Sequence, residues 1–239
     1  MTDGSQARRR LGWIERRRLR YKRHDTVPLE DVRGELKTGD IILFHKTTRA
    51  GILDTLELDL LAPLFFPENE FRHSGIIVRR GDDLSVVECT EEFHSGHAHA
   101  VYPTGGKGIR EVPLDPLLDA YTRDNGDPHF GVRLIGNEIP SEVMMTTIAE
   151  IGPVSYLKAR RSALLFLSSF VLPSRAHAHL DRLFVTEMMC SEFVHRVLAR
   201  CGALREYPSK LFAPYIIENS HLFERHDLAG YSGIVRFVV

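Results

Sequence analysis

Residues 72–88, Arg72-His73-Ser74-Gly75-Ile76-Ile77-Val78-Arg79-Arg80-Gly81-Asp82-Asp83-Leu84-Ser85-Val86-Val87-Glu88, hold two apolar runs separated by a charged, glycine-containing turn. The runs at 74–78 and 84–88 are of strand length and rich in β-branched residues, so the segment predicts an antiparallel hairpin. If residues 80–83 form the turn, Gly75 faces Glu88 and His73 faces Thr90; a slip of two residues brings His73 opposite Glu88. In either register the two-residue period puts His73 and Glu88 on one face as near neighbours, and Cys89 on the other. A carboxylate beside an imidazole fixes its tautomer and stabilises its protonated form.

Towards the N-terminus, Lys37-Thr38-Gly39-Asp40 is turn chemistry, and Ile41-Ile42-Leu43-Phe44 is an apolar run of the length of a buried strand. A helix or loop is expected at 53–64. Towards the C-terminus, 90–108 reads as a loop rich in Gly and His, and 113–121 as a short helix opening with proline. Strands are expected at 131–135 and 230–239, and helices at 141–152 and 158–172. The last has Lys158, Arg160 and Arg161 ahead of an apolar stretch. A core helix is its default reading, with a lid or a membrane-contacting helix as alternatives.

Residues 188–202 read as a helix stopped by Gly202. Phe193, Val194, Val197, Leu198 and Cys201 form one buried stripe, and Cys190 lies a turn earlier on that stripe, at the helix N-terminus. Backbone N–H groups and the positive dipole end there favour a thiolate, which is how reactive cysteines are commonly activated. Each residue alone has a structural reading as well. A buried cysteine is usually an inert small hydrophobe, as expected for Cys201, and a histidine or glutamate at a strand end is usually structural. The joint placement of Cys190, His73 and Glu88 is what suggests a nucleophile, a base and an orienting acid.

The chain has 239 residues, 43% hydrophobic and 26% charged, with 12 Pro and 18 Gly. That is globular composition, enough for one domain, and it excludes collagen-like and wholly disordered classes. Three cysteines argue against a disulfide framework. No apolar run of membrane-spanning length and no signal-like N-terminus stands out, so a cytoplasmic protein is expected. The net charge of −1 hides an asymmetry. Eight Arg and one Lys against Asp3 and Glu15 give residues 1–24 a charge of +7, leaving −8 on the remainder. Residues 1–30 are read as a basic arm ahead of one domain at 31–239 with a helical insertion around 139–182. The arm suits an anionic lipid surface or a solvated tail, and a nucleic-acid partner is not expected.

The motifs at 36–44, 72–78, 86–88 and 189–194 together resemble, in their order, the YiiX-like branch of the NlpC-type cysteine hydrolases. Val112-Pro113-Leu114 and 208–212 add to the likeness, which covers roughly residues 34–215. The resemblance implies an α+β, circularly permuted papain-like fold, with a mainly antiparallel sheet packed on the helix that carries Cys190. It makes Cys190 the nucleophile, His73 the general base and Glu88 its orienting partner, acting through a thioacyl intermediate on an amide or ester carbonyl. Residues 139–182 are longer than that pattern expects, and the arm has no counterpart in it.

No cofactor is expected. Cys89, His94, His97 and His99 have the composition of a zinc set, but their spacing matches no common finger, so structural or solvated histidines are the expectation. Three functions compete. The first is an amidase or peptidase acting on a peptide or other amide. The second is a lipid acyltransferase of the lecithin retinol acyltransferase type, with a lipid-acyl substrate at a membrane surface. The third is a non-catalytic binding module.

Overall fold

Ile41-Ile42-Leu43-Phe44 is apolar at every position because both faces of its strand are covered: Ile41 and Leu43 enter one apolar cluster, Ile42 and Phe44 another. The computed structural model describes residues 26–44, 71, 73–90, 99–100, 108–125, 128–156, 187–207 and 214–239. Among these, eight strands form one sheet. In chain order they are β1 (Val27–Pro28), β2 (Ile41–Phe44), β3 (His73–Arg80), β4 (Asp83–Thr90), β5 (His99–Ala100), β6 (Gly108–Pro113), β7 (His129–Arg133) and, last in the chain, β10 (Ile234–Val238). Across the sheet the order is β1-β10-β7-β2-β3-β4-β6-β5. Only β1 and β10 run parallel; every other pair is antiparallel. The fold class is therefore α+β with a mostly antiparallel sheet.

Helices cover both faces. On one lie α1 (Leu29–Arg33) and α2 (Leu114–Asn125), the latter burying Leu114, Leu117, Leu118 and Tyr121 at the spacing of a single helical stripe. On the other lie α3 (Ser141–Ile151) and α4 (Cys190–Arg200), with α5 (Pro214–Glu218) and α6 (Ser220–Phe223) beside them. Helix α4 buries Phe193, Val194, Val197 and Leu198 against Ile76, Val78 and Val87 of the sheet. Gly202 follows it with φ +73°, a left-handed stop that a residue with Cβ rarely adopts. A short parallel ribbon of β8 (Ser155–Tyr156) and β9 (Glu187–Met188) leads the chain into α4.

The hairpin follows the expected register, with Arg80↔Asp83 closing on Gly81, whose φ is +62°, and Ile76↔Val87 further out. Several boundaries differ from the sequence reading. Gly108 is the first residue of β6, paired with Thr90, and His99–Ala100 form an edge strand inside the stretch read as a loop. Pro113 ends β6 opposite Ser85, so α2 starts at Leu114 and the proline does not open it. Strand β7 stops at Arg133 because Leu134 N–H donates to Ser232 Oγ (2.8 Å) and Ile135 N–H to Asp40 Oδ1 (2.5 Å). Strand β10 begins only at Ile234. Ahead of it, the Asp227 carboxylate accepts from the N–H groups of Ala229, Gly230 and Tyr231 and holds a turn. Val27 pairs with Phe237, and Leu29 and Val32 are core residues, so the packed body begins before residue 31. The helix or loop expected at 53–64, the helix expected at 158–172, and residues 1–25 of the arm lie outside the described residues.

Candidate active site

The two strands of the hairpin part company at one end. Beyond Ile76↔Val87, β3 continues against β2 as far as Phe44↔His73, while β4 continues against β6 as far as Thr90↔Gly108. His73 and Glu88 stand in the mouth of this fork. Alternation along β3 and β4 puts both on the α2 side, with Phe44, Ile77 and Val86. Gly75 sits between them, where a Cβ would lie 2.6 Å from Val86 Cγ1 and 3.2 Å from the Val87 carbonyl oxygen. The glycine is there because a Cβ at this position would run into the Val86 side chain and the Val87 carbonyl.

Cys190 comes to this mouth from the other layer. Met189 is extended (φ −86°, ψ 163°), Cys190 is the first residue of α4, and the first helical bond is Phe193 N–H to Met189 O at 2.9 Å. The N–H groups of Cys190, Ser191 and Glu192 therefore precede the helical ladder, and their dipoles favour negative charge there. Cys190 belongs to neither apolar cluster and hydrogen-bonds the His73 imidazole.

His73 Nε2 lies 2.6 Å from Glu88 Oε2, so the ring nitrogen left to serve Cys190 is Nδ1. Glu88 Oε1 accepts from Arg110 Nε at 2.7 Å, and Arg110 Nη2 forms an ion pair with the same oxygen. Exposure is 3% for Cys190, 1% for His73 and 0% for Glu88 and Arg110, so the whole row is out of water. The imidazole lies beside a pair of aromatic rings, Phe44 and Tyr121, which stack on each other at 4.3 Å. Tyr121 stacks with it at 6.0 Å and 19°, and Phe44 is tilted against it at 5.6 Å.

Burial alone would drive the His73 pKa down. Charge on Cys190 and on Glu88, each also hydrogen-bonded to the ring, outweighs burial and raises it from 6.5 to about 9. Burial would likewise push the Glu88 carboxyl up, but His73 and Arg110 hold it down at about 2. The arrangement can thus keep a protonated imidazole between two anions at neutral pH. An imidazolium so placed can lend its proton to a departing group and take one back.

All three residues singled out in the sequence, Cys190, His73 and Glu88, are brought together. Arg110 was missed: it lies between the loop read at 90–108 and the helix read from 113, in a strand that carries charge at two successive central positions. Tyr121 lay in a recognised helix, but nothing local indicated that it faced a histidine. Cys89 points to the α4 side, its Sγ 3.6 Å from Met188 O, and Cys201 is half-buried with its Sγ 3.5 Å from Thr147 Oγ1. Of Cys89, His94, His97 and His99, only Cys89 has a described side chain. Among the described residues, no group of three or more His, Cys, Asp or Glu side chains is placed to hold a metal ion. No described helix is long and apolar enough to cross a membrane.

The fold and the buried Cys-His-Glu-Arg row define a class of α+β protein with a candidate thiol centre. An uncharacterized protein of Acanthamoeba polyphaga mimivirus, R372, is 33% identical over 217 residues, which span 87% of this chain and 84% of that one. The chain belongs to the family of that viral protein. No family model matches it. Among solved structures, the metalloprotein yiiX from Escherichia coli O157:H7 (DUF1105) is similar at 18% identity, over 70% of this chain and 67% of that one, with a TM-score of 0.35. A score this low does not define a common fold.

Proposed function

We propose that the chain is a thiol hydrolase of the amidase or peptidase type, with Cys190 as nucleophile, His73 as general base and acid, and Glu88 as the group that orients and charges His73. The observation that carries this reading is the continuous buried row in which Cys190 meets His73 and His73 Nε2 lies 2.6 Å from Glu88. The Cys190 thiolate would attack an amide or ester carbonyl, and the oxyanion would face the N–H groups that open α4. Collapse of the tetrahedral species expels the amine or alcohol, which takes its proton from His73. Water, deprotonated by His73, then attacks the thioacyl carbon and releases the acid and the thiolate. A permuted papain-like architecture of the YiiX-like kind would accommodate these steps.

A second reading uses the same row, with a lipid hydroxyl or amine in place of water as acyl acceptor. The +7 charge of residues 1–24 favours it, since such a segment is drawn to anionic headgroups. An electrophilic thiol probe tests the shared core of both readings. Cys190 should be labelled well ahead of Cys89 and Cys201, and His73→Ala should suppress that labelling. Equal labelling of the three cysteines in the folded chain refutes the nucleophile assignment and leaves a binding module.

A further inference from the structure

We propose that Arg110 is a positioning residue of this site: it supplies the fixed positive charge that lets a buried carboxylate stand behind His73 without costing Cys190 its negative charge. This rests on the reading of Cys190 as the nucleophile. The register of β4 and β6 sets Glu88 directly opposite Arg110, and both are fully buried. The carboxylate is divided between two partners, Oε1 to the guanidinium and Oε2 to the imidazole.

The row then alternates in sign, from thiolate to imidazolium to carboxylate to guanidinium, and sums to zero. Removing the guanidinium leaves two anions and one cation in a site that excludes water, where uncompensated charge is expensive. Taking up a proton is the cheapest relief, and Cys190 is one of the two groups that can take it. A guanidinium does not itself give up a proton in proteins, so it fixes the charge state of the row where another titrating group would blur it. Arg110 also joins two strands, and a mere staple between β4 and β6 would affect stability alone. A charge-setting role moves the pH at which Cys190 becomes reactive.

The test is iodoacetamide alkylation of Cys190 in the full chain, followed by peptide mass spectrometry across the pH range, for the native protein, Arg110→Met, Arg110→Lys, Glu88→Gln and the Glu88→Gln/Arg110→Met double variant. The charge facing the thiolate falls by one in Arg110→Met and returns to its native value in the double variant. The acid-limb midpoint should therefore rise by about one pH unit in Arg110→Met, giving about tenfold slower alkylation on that limb. Arg110→Lys and the double variant should return it towards native. An unchanged midpoint in Arg110→Met, or a double variant no closer to native than Arg110→Met, overturns the proposal. Where Arg110→Met yields no folded chain, the double variant against Glu88→Gln makes the same comparison: a higher midpoint in the double variant supports the role, and equal midpoints overturn it. Native Cys190 alkylating no faster than Cys201 would instead refute the nucleophile reading itself.

Discussion

Gly75→Ala places a methyl group in the mouth of the fork. The new carbon would lie 2.6 Å from Val86 Cγ1 and 3.2 Å from the Val87 carbonyl oxygen, against an ordinary contact of about 3.5–4.0 Å between carbons. Val86 is fully buried in the cluster with Ile77 and Val112, so its side chain must shift against packed neighbours to make room. Overpacking of this kind costs about 1–3 kcal/mol. At about 2–4 °C per kcal/mol for a chain of this size, the midpoint of thermal unfolding should fall by about 2–12 °C. The strain acts across the gap that His73 and Glu88 bridge, so Cys190 alkylation should slow as their 2.6 Å contact opens. Val86→Ala alone should also destabilise, by roughly 1.5–3 kcal/mol, because it leaves a cavity. In the double variant the alanine at 75 fills that cavity, and the two costs should fall short of additive by about 1 kcal/mol or more, as expected for residues in contact. Calorimetry of the four proteins, with alkylation rates on the same samples, measures both effects. Strict additivity, or a Gly75→Ala protein as stable as the native one, would refute the account of why glycine occupies this position.

Three further outcomes are expected. His73, raised to about 9, contributes stability in full below pH 6.5 and loses it as pH rises through 9; Glu88, lowered to about 2, contributes in full above pH 4.5 and loses it as pH falls through 2, so calorimetry should show stability declining on the alkaline side between 6.5 and 9 and on the acid side below 4.5. His195 is held down at about 4, first by burial and then by His226 and Arg196, against the Arg205 carbonyl it bonds at 2.9 Å; it therefore costs stability as pH falls from 6.5 through 4, and His195→Gln, whose amide can still donate to that carbonyl, should flatten the melting temperature over that interval. Removing residues 1–24 should abolish co-sedimentation with vesicles containing phosphatidylserine in low salt and leave Cys190 alkylation unchanged; binding that survives the deletion would place the lipid contact elsewhere.

What the sequence disclosed and what it withheld divide along a physical line. The hairpin, β2 and α4 were legible because each carries its own signal: β-branched runs around a glycine turn, an unbroken apolar tetrapeptide, and a stripe at helical spacing. The nearness of His73 and Glu88 followed from the position of the hairpin turn together with the two-residue period. Strand β6 was not legible, since Gly108-Ile109-Arg110-Glu111-Val112-Pro113 alternates in no apolar pattern. Arg110 is tolerated in the interior only because Glu88 meets it from the neighbouring strand, and no local window contains that compensation. The same holds for Tyr121, whose helix was recognised but whose ring found its histidine partner only when α2 settled over the fork.

The fork also sets when reactivity can arise. Its members come from well-separated parts of the chain: one from the first hairpin strand, one from the second, and a sulfur from a helix formed much later in the sequence. No local piece of the chain, however well folded, contains the row. Contacts of such long sequence separation are made late, after the loops between them have closed. On the proposed reading of Cys190 as nucleophile, a nascent or partly unfolded chain exposes only ordinary thiols, and an activated sulfur appears together with the native sheet.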